Sequence, residues 1–214
     1  GEFLSGLPGV TVAYYPQQPG EDIKLVALGP DASGCLARAE AAILERLGAL
    51  VYATGSASLP RAVGELLVRR GATVAVAESC TGGALAHALI SEPGASRYVL
   101  SGVVAYADAA KVELLDVPKE LIERHGAVSE PVARAMAEGL RRRSGADYVL
   151  STTGIAGPDG GTQEKPVGLV HSAIAGPEGT HAFRSVYPGT REMVVRRSVW
   201  TDLDRFRLML RDAG

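Results

Sequence analysis

Residues 73–77 form an unbroken run of small, largely apolar side chains that stops abruptly at Glu78-Ser79-Cys80-Thr81-Gly82-Gly83. A run this short, with no alternation of polar and apolar positions, suits a strand covered on both faces. Such cover takes helices, and helical periodicity lies on either side of the run. Before it, Pro60 opens a stripe of Val63, Leu66 and Leu67 that ends at Gly71; after it, residues 81–90 read as helical. Further strands are predicted over 102–106 and 148–153, with helices over 108–115 and 118–125. Another helix starts at Ser129, which can cap it, and ends at Arg141-Arg142-Arg143, where cations favour the helix dipole. Residues 167–175 and 181–186 read as a hairpin across Gly176-Pro177-Glu178-Gly179, and a long last helix runs from about 190 to 211. This alternation predicts an α/β protein, with a three-layer α/β/α domain and a mixed sheet over residues 57–214.

Residues 1–56 read differently. Strands are expected over 10–16 and 23–28, an amphipathic helix over 33–48 carried by Leu36, Ala39, Ile43, Leu44 and Leu47, and a third strand at Val51-Tyr52-Ala53. A linker follows at residues 54–58. A small α+β unit of this size is marginal by itself, so it is expected to lean on the rest of the chain or on a second copy, and a homodimer is expected.

Bulk properties exclude several classes. The chain of 214 residues has 22 Lys+Arg against 24 Asp+Glu, a formal charge of −2, which argues against a nucleic-acid partner. No apolar run approaches the roughly 20 residues needed to cross a bilayer, so no membrane partner is expected. The opening residues lack a basic stretch followed by an apolar one, and no signal peptide is expected. Cys35 and Cys80 make no disulfide framework, and His87, His125, His171 and His181 show no metal-ligand spacing. The expectation is a cytoplasmic protein working without metal or other cofactor.

In open α/β sheets ligands sit at the carboxyl ends of strands, and three polar or Gly-rich strand exits meet that description. At the first, Gly82 and Gly83 allow close backbone approach, the helix start offers free amides, and Ser79 or Cys80 stands where a nucleophile would. The same letters also describe an ordinary helix cap. The second holds Tyr106 and Lys111. A lysine can activate a serine and a tyrosine can relay a proton, although an isolated lysine is more often solvated. Lysines are few in this chain and arginines many. The third exit, residues 152–162, concentrates backbone-exposing and polar positions, including Thr153 and Gly154, in a stretch that also suits plain turns. Gly189-Thr190-Arg191 opens the last helix, where an arginine can clamp a phosphate. Glu78, Cys80 and Lys111 together hold the residue types of a cysteine amidase. A lone cysteine more often packs as a small buried hydrophobe, which is the reading preferred for Cys80, and Cys35 suits a structural role.

Taken in order, Val76-Ala77-Glu78-Ser79-Cys80-Thr81-Gly82-Gly83, Pro93-Gly94-Ala95-Ser96, Val103-Val104-Ala105-Tyr106 with Lys111, Gly126-Ala127-Val128-Ser129, Thr153-Gly154-Ile155-Ala156-Gly157-Pro158, Lys165-Pro166-Val167-Gly168 and Gly189-Thr190-Arg191 resemble the carboxy-terminal domain of the CinA family, the nicotinamide-nucleotide amidases. The resemblance runs from about residue 63 to 211, and residues 7–55 look like the KH-like middle segment of longer members. The amino-terminal molybdopterin-binding-like domain of those members is not expected within these residues. Gly6-Leu7-Pro8-Gly9 matches the letters of a KH grip but precedes a strand without a basic cluster, so RNA binding is not expected.

The resemblance implies hydrolysis of the carboxamide of nicotinamide mononucleotide to nicotinate mononucleotide and ammonia, within pyridine-nucleotide recycling. It implies Ser79 as nucleophile, Tyr106 and Lys111 as the proton-handling pair, and Thr153 with Gly154 as substrate contacts. Cys80, Thr81, Gly82 and Gly83 supply backbone for the oxyanion, and Arg191 for the 5′-phosphate. Thr152 stands where an apolar residue is expected. Two other readings stay open: a non-catalytic nucleotide-binding or assembly module, and an amidase for another pyridine carboxamide.

Overall fold

A computed structural model of the protein describes residues 7–17 and 20–212. The chain forms two compact units, residues 1–56 and 57–214.

In the first unit, β1 (Thr11–Gln17) pairs antiparallel with β2 (Gly20–Val26), with Tyr14 opposite Ile23. Helix α1 (Ala32–Leu47) follows, and its buried side chains are Ala39 and Ile43. Leu28 and Leu50 are 90% and 79% exposed, so the apolar stock of this unit is spent poorly on its own core. Residues 51–53, expected as a third strand, are not one: the small sheet has only β1 and β2 among the described residues. Three apolar letters give strand propensity but no edge to pair with.

The second unit opens with α2 (Leu59–Arg70). Ser58 accepts a hydrogen bond from the Arg61 amide at its start, and Gly71 closes it in the left-handed conformation. Next come β3 (Val74–Glu78), α3 (Ala84–Ile90), β4 (Val99–Val104), α4 (Asp108–Leu115), α5 (Lys119–His125) and α6 (Glu130–Ser144). The chain ends with β5 (Tyr148–Gly154), β6 (Leu169–Gly176), β7 (Gly179–Val186) and α7 (Arg191–Asp212). The five-stranded sheet has the order β4-β3-β5-β6-β7. β3 is parallel to both β4 and β5, and β5, β6 and β7 are mutually antiparallel, which makes the sheet mixed.

Strand alternation sorts the side chains between two helical layers. Ala75 and Ala77 of β3, Val149 of β5 and Ala173 and Ala175 of β6 pack with Val132, Ala133, Met136, Ala137 and Leu140 of α6, and with Leu115 and Ile122 of α4 and α5. Val170 of β6 faces the opposite way, toward Val194 of α7. All five residues of β3 are buried, as a strand roofed on both sides demands. The α4–α6 layer sits very close: a Cβ on Gly139 would overlap the Leu115 carbonyl oxygen.

Two local expectations change. Helix α3 begins at Ala84 rather than residue 81, because Gly82 and Gly83 both take positive φ (61° and 98°). Ser129 does not cap α6 through its side chain; its hydroxyl donates to the Gly126 carbonyl at 2.8 Å.

Candidate active site

At the end of β3 the Glu78 side chain is fully buried, and its carboxylate accepts three main-chain hydrogen bonds, from Gly83 (3.0 Å), Leu85 (3.1 Å) and Ala86 (2.8 Å). An anion at a helix start is favoured by the unpaired amides and the dipole. Here the chain supplies that anion itself. The Gly82 amide donates to the Ser79 carbonyl (3.2 Å), whereas the Cys80 and Thr81 amides, among the described residues, meet no main-chain carbonyl. Of the amides expected to receive an oxyanion, those two are the ones left to it.

Ser79 is 7% exposed, and its amide extends the β3–β5 ladder by one bond, to the Thr152 carbonyl at 3.0 Å. Continuing the alternation of Ala75 and Ala77 puts Ser79 on the α4–α6 side. Cys80, the next residue, packs with Ala156, Val170 and Val194 on the α7 side. Burial pushes its thiol up to about 12, and the Asp202 carboxylate adds to that, so Cys80 stays a neutral thiol.

Lys111 lies on α4, which follows the strand bonded to β3; the Ala105 amide donates to the Glu78 carbonyl at 2.8 Å. The side chain is buried, 1% exposed for the residue. Its Nζ donates to the Tyr106 carbonyl at 2.9 Å and stands 3.6 Å from an Asp108 carboxylate oxygen. A lysine has three donors, so this arrangement leaves capacity for a ligand. Tyr106 itself is 65% exposed: it reaches Lys111 through its main chain, and its ring lies outside the buried cluster.

Thr153 is buried and donates its hydroxyl to the Ala127 carbonyl at 2.9 Å, which fixes the side chain with its oxygen still able to accept. Thr81 and Thr152 share a hydroxyl hydrogen bond of 2.6 Å, so the polar residue at 152 ties the turn to β5. Gly154 is required by packing: a Cβ there would press on the Leu169 carbonyl oxygen, Val170 and the Cys80 sulfur. Arg191, exposed at the first position of α7, has no side-chain partner among the described residues.

Sequence reasoning did not single out Glu78 as the anchor of the turn, although a buried carboxylate a few residues ahead of a helix is a readable signal. It also passed over Asp202, which sits on the buried stripe of α7 with Val194, Ser198, Leu203 and Phe206. A charged residue on an apolar stripe is the trace it leaves in the sequence.

The model of the CinA C-terminal domain matches residues 56–210. The chain belongs to the CinA family. A CinA-like protein of Anaeromyxobacter dehalogenans is 49% identical over 203 residues, 95% of this chain and 50% of that relative. One from Gemmatimonas aurantiaca is 44% identical, covering 100% of this chain and 51% of the relative. The chain thus spans about half the length of these curated relatives. Among solved structures, the competence/damage-inducible protein CihA from Agrobacterium tumefaciens shares 39% identity at a TM-score of 0.69, covering 72% of this chain and 93% of that one. The competence damage-inducible protein A from Klebsiella pneumoniae shares 36% identity at a TM-score of 0.69, covering 71% and 94%. CinA membership agrees with the mixed sheet and its flanking helices, and with a competence/damage-inducible class of protein. Among the described residues, no helix is long and apolar enough to cross a membrane.

Proposed function

We propose that this CinA-family chain is a serine amidase that converts nicotinamide mononucleotide to nicotinate mononucleotide and ammonia. The observation that carries this reading is Lys111: an amine buried at the strand exit beside the one that carries Ser79, with donor capacity unspent. Burying an ammonium is costly, and a purely structural lysine would reach water.

In the reaction, the Ser79 oxygen attacks the carboxamide carbon and its proton passes to Lys111, which acts in its neutral amine form. The carbonyl electrons move onto oxygen, and the Cys80 and Thr81 amides receive that charge. The intermediate collapses with the C–N bond breaking, the nitrogen takes the proton back from Lys111, and ammonia leaves. Water then opens the acyl-serine ester by the same route and restores the hydroxyl. Tyr106, whose ring is exposed and whose carbonyl accepts from Lys111, relays protons between Lys111 and bulk water. No cofactor is required, the setting is the cytoplasm, and the working form is a homodimer, which light scattering would support with a mass twice that of the chain and remove with a monomer.

The test is ammonia release from nicotinamide mononucleotide. Ser79→Ala lowers kcat/KM by about a thousandfold or more, as loss of a nucleophile does elsewhere, and Cys80→Ala retains most activity. Full activity in Ser79→Ala would remove the serine mechanism, and loss confined to Cys80→Ala would replace it with thiol chemistry.

A further inference from the structure

The register of the sheet sets up a transverse row that starts at Thr153 and runs on to two residues the proposed chemistry does not use. Thr153 lies opposite His171, and His171 lies opposite Arg184. Each is two residues along its strand from a side chain that faces α6: Ser151, whose hydroxyl donates to the Ala133 carbonyl, Ala173 and Ala182. All three therefore share the face that carries Ser79, at the point where α6 starts and its apolar cover ends.

The chemistry of this row is that of an anion receptor. The His171 Nδ1 atom is buried without a hydrogen-bond partner. Arg184 is exposed and its guanidinium has no partner among the described residues. Lys165 spends one donor on the His125 carbonyl at 2.7 Å and keeps the rest. The carboxylate near them is Glu130, already held by Arg134 at 2.9 Å. Burial first, then the Arg184 and Lys165 charges, hold the imidazole below its usual range against the pull of Glu130, and an anion between these groups would relieve that repulsion. Arg191, by contrast, opens the helix whose Val194 packs beside Val170 and Cys80, on the other face of the sheet.

We propose that His171, Arg184 and Lys165 form the subsite for the phosphoryl group of a substrate whose carboxamide lies at Ser79. The identity of the substrate rests on the reading above, whereas the anion site stands on the row itself. Two to three strand spacings separate the β3 exit from β6 and β7, about 10–15 Å. That separation matches a ligand with a reacting carboxamide at one end and a phosphate at the other, and it assigns the phosphate to Arg184 in place of Arg191.

The experiment compares nicotinamide mononucleotide with nicotinamide riboside, which lacks the phosphate, on the full chain. Arg184→Gln and Lys165→Gln each raise KM for the mononucleotide by about tenfold, the scale of one charge-assisted contact, and leave KM for the riboside unchanged. Equal effects on both ligands, no effect on either, or a selective loss in Arg191→Gln alone would overturn the assignment. Should the wild-type chain release no ammonia, the amidase reading fails while the subsite is still read by NMR of the His171 imidazole. Inorganic phosphate shifts that signal saturably in the wild type and much less in Arg184→Gln. A wild-type signal that does not respond to phosphate counts against the subsite.

Discussion

Asp202 shows how much one side chain in this fold is governed by its surroundings. It is fully buried, accepts from the Ser172 hydroxyl at 2.7 Å and from Arg205 at 3.3 Å, and its second oxygen has no partner. Burial pushes its carboxyl from 3.8 to about 6, with Ser172 and Arg205 opposing. A raised carboxyl binds its proton more tightly in the folded state than in the unfolded one. Its contribution to stability is therefore complete below about 4 and is lost as pH rises through about 6. Asp202→Asn removes that dependence. Thermal unfolding at pH 5 and pH 7.5 should show the variant gaining on the wild type at the higher pH, and a constant gap would refute the assignment. The stripe of α7 marks Asp202 in the sequence as a charged residue among apolar ones, but its partner Ser172 lies 30 residues away on β6, and that pairing is set by the assembled fold.

Among the elements, the β3–α3 turn depends on a contact that skips along the chain. Glu78 satisfies amides five to eight residues ahead of it, so strand end, turn and helix start form one cooperative piece. Glu78→Gln replaces an acceptor-only anion by an amide with a single acceptor oxygen. The expected loss is about 1–3 kcal/mol, read as a lower urea midpoint with an unchanged slope, together with reduced ammonia release because Ser79 rides on that turn. Wild-type stability in the variant would contradict this.

Periodicity was enough to read the order of strands and helices in residues 57–214, because each element buries a regular face. It could not set the start of α3, which depends on two positive φ values and a remote carboxylate. Nor could it show that β4 begins at Val99 and runs through Gly102, where a Cβ would crowd Ala86 and Val76. Ser79 and Lys111 were legible as residue types at strand exits. The row of Thr153, His171 and Arg184 was not, because cross-strand neighbours are set by register, and register is a property of the assembled sheet.

For the whole molecule, the contrast between the two units is the main physical fact. Residues 57–214 bury a continuous core under two helical layers, whereas the described part of residues 1–56 buries only Ala39 and Ile43. A fragment of residues 57–214 should unfold cooperatively and retain the proposed ammonia release at the rate of the full chain, and a fragment of residues 1–56 should lack a cooperative transition by circular dichroism. A fragment 57–214 that fails to fold would show that the first unit is part of the core.

Ser79 and Cys80 are adjacent, yet the alternation that puts Ala75 and Ala77 under α6 sends Ser79 to that face while Cys80 packs on the other. The bond from the Ser79 amide to the Thr152 carbonyl keeps the alternation in step at that point, together with the bond from the Ala105 amide to the Glu78 carbonyl and the Thr81–Thr152 hydroxyl pair. Sliding β3 by one residue against β5 would bring a thiol to the place of the hydroxyl and bury the hydroxyl among Val170 and Val194. The Ser79 hydroxyl and the Cys80 thiol thus lie one notch of strand alignment apart, and hydrogen-bond pairing selects between them.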